Sequence, residues 1–126
     1  MIKCAVIDDE PLAREIVVDY IHKVDFLELV AEANNPIELS VLLERKSIDL
    51  IFLDIQTPVI NGIDYLKSTS NLPMVIFTTA YSSYALESYQ LDVMDYLLKP
   101  ITFDRFFKAV SKTKEYFQLT RQLVTS

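Results

Sequence analysis

Short apolar runs alternate with amphipathic segments along the chain, and this alternation predicts the fold. Five runs are short, largely apolar and rich in branched side chains, as buried strands are. They span residues 3–8, 27–33, 49–54, 73–79 and 94–98. A segment with helical spacing follows each run, at 11–24, 36–46, 62–68, 84–90 and 102–119.

The first and last helices have the clearest apolar stripes and start signals. Asp9 is a candidate N-cap of the first helix, with Pro11 in its first turn, and Thr102 caps the last helix. The predicted stripe of the first helix comprises Leu12, Ile16, Val17, Tyr20, Ile21 and Val24. That of the last helix comprises Phe103, Phe106, Phe107, Val110 and Phe117.

The strands have apolar residues on both faces, which is typical of a parallel sheet covered by helices on both sides. Right-handed crossovers then give a doubly wound (βα)5 sheet, and we expect the strand order 2-1-3-4-5. The 126 residues correspond to one domain. We expect this α/β domain to span 1–120, with 121–126 as a frayed tail or the start of a linker to an absent output domain.

In a doubly wound sheet the functional site lies at the carboxyl ends of the strands, near the point where the strand order reverses. Several polar residues of this sequence lie at the ends of predicted strands and therefore reach this edge. They are Asp8 and Asp9 at the end of the first strand, Asp54 at the end of the third, Thr79 at the end of the fourth and Lys99 at the end of the fifth.

Three carboxylates at one edge repel each other and favour a bound cation. Oxygen ligands suit Mg²⁺ or Mn²⁺, and a chain with one His and one Cys offers no zinc site. The alternative is that the acids are helix caps, which accounts for Asp9 but not for Asp54. We therefore predict a metal site formed by Asp8, Asp9 and Asp54, completed by the backbone carbonyl of Gln56.

With a cation and Lys99 nearby, Asp54 can act as a nucleophile toward a phosphoryl group and form an acyl phosphate. The cation and the Lys99 ammonium would spread the charge of the phosphoryl oxygens, and Thr79 would add a hydroxyl donor. Pro100, directly after Lys99, is a candidate cis-proline.

These residues together resemble the receiver domain of two-component response regulators over about residues 1–120. The matching pieces are the acid pair Asp8-Asp9, the LDIQTPVINGID stretch around Asp54, FTTAY with Thr79 before Ala80, and DYLLKP with Tyr96 three positions before Lys99. The fold of that family is flavodoxin-like, or CheY-like, in agreement with the predicted strand order.

The resemblance implies a role for each of these residues. Asp54 would accept a phosphoryl group from the histidine of a sensor kinase, with Lys99, Thr79 and Ala80 binding it. Tyr96 would swing inward and remodel the face formed by the fourth helix, the fifth strand and the last helix, where partners or a second copy dock. Gln56 and Tyr81 would influence the phosphoryl lifetime. The residues expected to shape the site loops are Pro58, Gly62 and Pro100. We expect Gly62, the one glycine of the sequence, to adopt a backbone conformation that other residues avoid.

The stretch TTAYSSYALESYQLDVMDYLLKP is similar to the LytTR (LytR/AlgR-like) subgroup, whose receivers precede a DNA-binding output domain. The chain is then an excised receiver or a stand-alone one, and DNA would be contacted only through the absent domain. A net charge of −6 argues against direct nucleic-acid binding by this segment. A single Cys and the lack of a long apolar run favour a cytoplasmic protein without membrane contact.

Rival functions lack residues that they need. A haloacid-dehalogenase-like phosphatase requires a second acid two residues after its nucleophile, where this chain has Gln56. A flavin module would need a phosphate loop where the sequence is DDEPLA. A receiver that acts as a phosphate-independent interaction module stays an alternative. We do not expect an enzyme, beyond assistance to its own phosphorylation and dephosphorylation.

Overall fold

The computed structural model describes residues 1–82 and 91–125, and its elements follow the predicted alternation. The strands are β1 (Ile2–Ile7), β2 (Leu27–Ala33), β3 (Leu50–Asp54), β4 (Met74–Thr79) and β5 (Asp95–Leu98). The helices are α1 (Pro11–His22), α2 (Pro36–Arg45), α3 (Gly62–Ser68) and the C-terminal helix (Phe103–Thr125). The helix predicted over 84–90 lies outside the described residues.

The five strands form one parallel sheet in the order β2-β1-β3-β4-β5, as predicted. Strand β3 lies at its centre and is buried over its whole length. Because it pairs with β1 on one side and β4 on the other, its last residue, Asp54, lies between the ends of those two strands.

Alternate strand residues enter two hydrophobic cores, one on each face of the sheet. Cys4 and Val6 of β1 belong to the core under α1 and the C-terminal helix, where the rings of Phe52 and Phe106 stack with centroids 5.4 Å apart. The opposite core lies under α2 and α3. Burial raises the pKa of the Cys4 thiol to about 12, as expected for a reduced core cysteine.

Helix α1 ends at His22 rather than at residue 24, and it differs from its prediction at its start and in its exposed face. Its N-cap is Glu10 rather than Asp9, and the Glu10 side chain makes no capping hydrogen bond. Val17 and Ile21 of the predicted stripe are buried as expected, but Leu12 and Ile16 of the same stripe are exposed, at 76% and 43%. Each exposed residue lies five positions before one of these buried residues, which is about 140° around a helix with 3.6 residues per turn.

The C-terminal helix begins as predicted, with the Thr102 hydroxyl accepting a hydrogen bond from the Arg105 N–H at 3.3 Å. It buries Phe106 and Val110, but Phe107 of the predicted stripe is 45% exposed. The predicted end at residue 119 is wrong, since the helix continues to Thr125. No Gly or Pro interrupts 103–125. Whether 121–126 belongs to a linker stays a prediction.

Within the described part of the chain, none of the helices combines the length and the apolar character that crossing a membrane requires.

Candidate functional site

The candidate site lies at the carboxyl edge of the sheet, where backbone hydrogen bonds continue past the strand ends. The Asp8 N–H donates to Ala33 at 3.1 Å, which extends the pairing of β1 with β2. The Lys99 N–H donates to Thr79 at 2.7 Å, which extends the pairing of β5 with β4. Asp54 ends β3 and pairs with Thr78. The sheet therefore fixes the three side chains that meet at this edge.

The Lys99 ammonium joins two buried carboxylates. Lys99 Nζ lies 2.9 Å from Asp8 Oδ2 and 3.4 Å from Asp54 Oδ2. Glu10, a more exposed acid, approaches the same ammonium at 3.5 Å. Only 4% of each aspartate side chain is exposed to solvent. Low solvent access strengthens these charge interactions relative to surface ion pairs.

The pKa of Asp54 is raised from 3.8 to about 6. Burial is the main cause, and the neighbouring charge of Asp8 adds to it. Lys99 and the Gln56 N–H, which lies 3.2 Å from Asp54 Oδ1, act in the opposite direction. The pKa of Lys99 is raised, because its hydrogen bond to Asp8 and the three nearby acids outweigh its burial. A second positive charge would therefore stabilise ionised Asp54.

Three acids at the site fit a divalent cation. Asp8, Glu10 and Asp54 each offer a carboxylate oxygen, and these oxygens lie within 4.8 Å of one another. Hard oxygen ligands of this kind suit Mg²⁺. Asp9 is exposed and is not in this group. Its predicted role as a metal ligand stays a prediction.

Glu10 is the site residue that sequence reasoning did not select. Its N–H donates to Asp8 Oδ1 at 2.9 Å, so the chain turns back immediately after β1 and returns Glu10 to the side of Asp8. Glu10 lies two positions after Asp8 and directly before helix α1, and this spacing is the sequence signal that could have indicated the turn.

Arg14 holds the end of β1 and was also missed. Its Nη1 donates to the Asp8 carbonyl at 2.6 Å and to Asn34 Oδ1 at 2.8 Å, and its Nε lies 3.2 Å from Glu32. One guanidinium thus connects α1 to β2 and to the backbone of Asp8. This arrangement holds the backbone of Asp8 at the end of β1.

The loop after β3 is shaped differently from the prediction. We expected Gly62 to adopt a backbone conformation that other residues avoid, but its φ is not positive. Glycine is needed there because a Cβ atom would lie 2.9 Å from the Asp54 carbonyl oxygen. The unusual backbone belongs to Val59, with φ of 77°, directly after Pro58. The Asn61 side chain caps α3.

Two of the predicted switch residues, Thr79 and Tyr96, both contact the backbone of Tyr81. Thr79 is fully buried, and its hydroxyl accepts a hydrogen bond from the Tyr81 N–H at 3.1 Å. The Tyr96 hydroxyl donates to the Tyr81 carbonyl. Ala80 is exposed at the site edge. The Lys99–Pro100 peptide bond is cis, as predicted.

The chain belongs to the response regulator receiver domain family, which residues 4–111 match. It is 36% identical to an uncharacterized response regulatory protein of Vibrio cholerae over 129 aligned residues, covering 96% of this chain and 54% of the relative. It is 34% identical to the transcriptional regulatory protein BtsR of Escherichia coli over 117 residues, covering 91% and 49%. The chain thus spans about half the length of these relatives.

Solved structures agree with this assignment. The receiver domain of AraT, a response regulator from Geobacillus stearothermophilus, superposes with a TM-score of 0.81 at 33% identity, covering 94% of this chain and 97% of that one. The response regulatory domain of mrkE from Klebsiella pneumoniae gives 0.82 at 27% identity, covering 93% and 99%. The molecule is therefore a receiver domain of a response regulator, a phosphoacceptor signalling domain with the predicted fold.

Proposed function

We propose that Asp54 is the phosphoacceptor of this receiver domain. The observation that carries the proposal is the position of the Lys99 ammonium, 3.4 Å from Asp54 and 2.9 Å from Asp8, two aspartates with little exposure to solvent. Asp54 ends the central strand, so its carboxylate can meet an incoming phosphoryl group without any change in the sheet.

The reaction would transfer the phosphoryl group from a phosphohistidine to Asp54. An Asp54 oxygen forms a bond to phosphorus, the bond between phosphorus and the donor nitrogen breaks, and the histidine, which carries a proton on its other ring nitrogen, leaves as a neutral imidazole. Lys99 stays protonated throughout and neutralises a phosphoryl oxygen. Its raised pKa supports this role because the ammonium persists well above neutral pH.

Asp8 and Asp54 would hold Mg²⁺ or Mn²⁺, together with Glu10 or Asp9 and the backbone carbonyl of Gln56. The bound ion would supply positive charge to the phosphoryl oxygens. Glu10 is supported by its place among the three converging carboxylate oxygens, and Asp9 by the family resemblance.

Thr79, Ala80 and Tyr96 would report the phosphoryl group to the rest of the domain. Thr79 and Tyr96 are joined through the backbone of Tyr81, since one contacts its N–H and the other its carbonyl. A movement of the Thr79 hydroxyl toward phosphate would release the Tyr81 N–H and change the position of the Tyr96 partner. Tyr81 and Gln56 would influence how long the acyl phosphate survives.

A sensor histidine kinase would dock beside the site, on the exposed part of α1. A groove there is largely apolar and continues to the Lys99 ammonium, so a helix that presents a phosphohistidine could lie in it. Its lining residues are Glu10, Ala13, Ile16, Ala80, Lys99, Pro100 and Ile101. Leu12, which is largely exposed in the first turn of α1, would extend this contact surface.

The output would be transcriptional control through a LytTR-type DNA-binding domain, with a homodimer forming on phosphorylation. Support comes from the relatives, which are about twice as long as this chain and include a transcriptional regulatory protein. DNA would be contacted only by that further domain, in the cytoplasm. Phosphorylation would act by shifting the population of receiver conformations.

The test is the intact mass of the protein after incubation with acetyl phosphate and Mg²⁺. We expect a gain of one phosphoryl group that disappears with EDTA or in Asp54→Asn. The matched control is Asp64→Asn, an exposed aspartate of α3, which should gain the group normally. Equal labelling of Asp54→Asn would refute the assignment. A folded, Mg²⁺-binding protein without any gain would favour a phosphate-independent interaction module.

A further inference from the structure

Asp95 and Arg105 enclose the backbone of Tyr96 from both sides. Asp95 Oδ1 accepts a hydrogen bond from the Tyr96 N–H at 2.8 Å, and Arg105 Nη2 donates to the Tyr96 carbonyl at 3.3 Å. The two side chains also pair with each other through two bonds, of 2.7 and 3.1 Å. The backbone N–H and the backbone carbonyl of Tyr96 are therefore both linked to Arg105 in the first turn of the C-terminal helix, the N–H through Asp95 and the carbonyl directly.

This pair is more than a surface ion pair. The Asp95 side chain is 11% exposed and that of Arg105 is 41% exposed, and the two carboxylate oxygens each accept a bond from a different terminal nitrogen of the guanidinium, which favours strong, directional pairing. Burial opposes ionisation of Asp95, but hydrogen bonds from Arg105, the Tyr96 N–H and Lys112 outweigh it and hold its pKa below 3.8. The carboxylate thus stays charged and paired.

Lys112 provides an internal comparison. It also approaches Asp95, at 3.1 Å from Oδ2, from two turns further along the C-terminal helix. Arg105 and Lys112 therefore share the same acidic partner. The contact with the Tyr96 carbonyl, however, is made by Arg105. Substitutions of Lys112 and of Arg105 can therefore separate the effect of a positive charge near Asp95 from the effect of a bond to the Tyr96 backbone.

The Tyr96 side chain lies on a second set of contacts that leads to the candidate site. Its hydroxyl donates to the Tyr81 carbonyl, and the Tyr81 N–H donates to the Thr79 hydroxyl. Hydrogen bonds thus connect Thr79 to Tyr81 and Tyr81 to the Tyr96 hydroxyl. The Tyr96 carbonyl is in turn bonded by Arg105 of the C-terminal helix. Such a path transmits a change only where one of its members has two arrangements.

We propose that Arg105 is a positioning residue that couples Tyr96 to the C-terminal helix. It fixes the Tyr96 backbone relative to the first turn of that helix, so that a rearrangement of Tyr96 moves or loosens the helix rather than the strand alone. This inference rests on the proposed function in one respect, the role of Tyr96 as the residue that responds to phosphate. Its structural part, the restraint on Tyr96, does not depend on phosphate.

The first measurement is amide hydrogen exchange at Tyr96, followed by NMR without any phosphoryl donor. Arg105→Gln should speed exchange at this amide about tenfold, because Asp95 loses the partner that holds it in place. Lys112→Gln, which removes a charge from the same carboxylate, should change it less than about twofold. Unchanged exchange in Arg105→Gln, or an equal effect of Lys112→Gln, would overturn the proposal.

The second measurement is the response of the helix to acetyl phosphate and Mg²⁺. In Arg105→Gln we expect Asp54 to gain its phosphoryl group while the chemical-shift changes at amides 103–108 fall to about half or less of the parent values. Arg105→Lys retains the positive charge but loses the paired guanidinium donors that bond Asp95 and Tyr96 together, so it should resemble Arg105→Gln in this response. A full response in both variants would refute the coupling.

The two proposals fail in different ways. If the parent protein gains no phosphoryl mass, the assignment of Asp54 fails, and exchange at Tyr96 still decides whether Arg105 holds this residue. If the parent is labelled and all variants respond equally, the phosphoacceptor stands and the positioning role of Arg105 is wrong.

Discussion

Gly62 packs against the peptide of Asp54 so closely that a Cβ atom on Gly62 would lie 2.9 Å from the Asp54 carbonyl oxygen. The same glycine donates its N–H to the Ile55 carbonyl at 2.7 Å. The start of α3 is therefore held directly on the end of β3. This contact sets the height of α3 above the residue proposed as phosphoacceptor.

Gly62→Ala should destabilise the protein and impair the site. The added methyl group meets backbone atoms of Asp54 and Ile55, which cannot rotate away as a side chain would. We expect a loss of about 1–3 kcal/mol in the free energy of unfolding, typical of overpacking. Denaturant titration measures this loss, and the labelling rate with acetyl phosphate measures the displacement of Asp54. Ser70→Ala, in the exposed loop after α3, is the control, and equal stability of the two variants would contradict the close packing.

Val59→Asn should stabilise the protein. Val59 has φ of 77° and is 81% exposed, so a branched side chain adopts an unfavourable backbone conformation without burying much surface. Asn tolerates this conformation better, and we expect a gain of about 0.5–1 kcal/mol. Thermal unfolding compares the variant with the parent. A control is Val41→Asn, exposed on helix α2, which should be neutral or destabilising; a lower melting temperature for Val59→Asn would show that the strain is absent.

The strand ends were predictable because each apolar run stops at a polar residue, and the topology of a parallel sheet brings those ends together. Asp8, Asp54 and Lys99 follow from this argument alone. The reason for Gly62 did not follow, since a sequence does not distinguish a close approach from an unusual φ. The contact of Arg105 with Asp95 and Tyr96 was not predictable for another reason. Which side of a helix faces the sheet depends on the rotation of the helix about its axis, and the sequence does not fix that rotation closely enough. Leu12 and Ile16 were misplaced by the same uncertainty.

Asp54→Asn should stabilise the metal-free protein at neutral pH. The pKa of Asp54 is about 6 in the folded state and 3.8 ordinarily, so the folded state binds more protons between these values. Stability therefore falls as pH rises through this window, and ionised Asp54 costs about 2–3 kcal/mol above it. We expect Asp54→Asn to regain about this amount near pH 7.5 and almost nothing near pH 4.

Urea unfolding at a series of pH values measures this difference. Asp64→Asn, at an exposed position of α3, is the matched control and should show no such dependence. Adding Mg²⁺ should stabilise the parent more than Asp54→Asn, because the ion binds the ionised carboxylate. A difference that is constant across pH would mean that Asp54 is not strained by its burial.

Ile16→Ser should slow phosphoryl transfer from a sensor kinase while leaving labelling by acetyl phosphate unchanged. Ile16 lines the groove beside Lys99 and is already 43% exposed, so its loss should remove a partner contact more than a core contact. A central apolar contact in such an interface justifies an expected decrease of about tenfold in the transfer rate. Rates are measured with a purified kinase that phosphorylates the parent.

The matched control for the docking surface is Val41→Ser. Val41 is 45% exposed, a fraction close to that of Ile16, but it lies on α2, which covers the opposite face of the sheet. It should not affect either reaction. If both variants transfer at the parental rate, the kinase docks elsewhere. If Ile16→Ser also slows labelling by acetyl phosphate, Ile16 supports the structure of the phosphorylation site, and its role as a kinase contact is not supported.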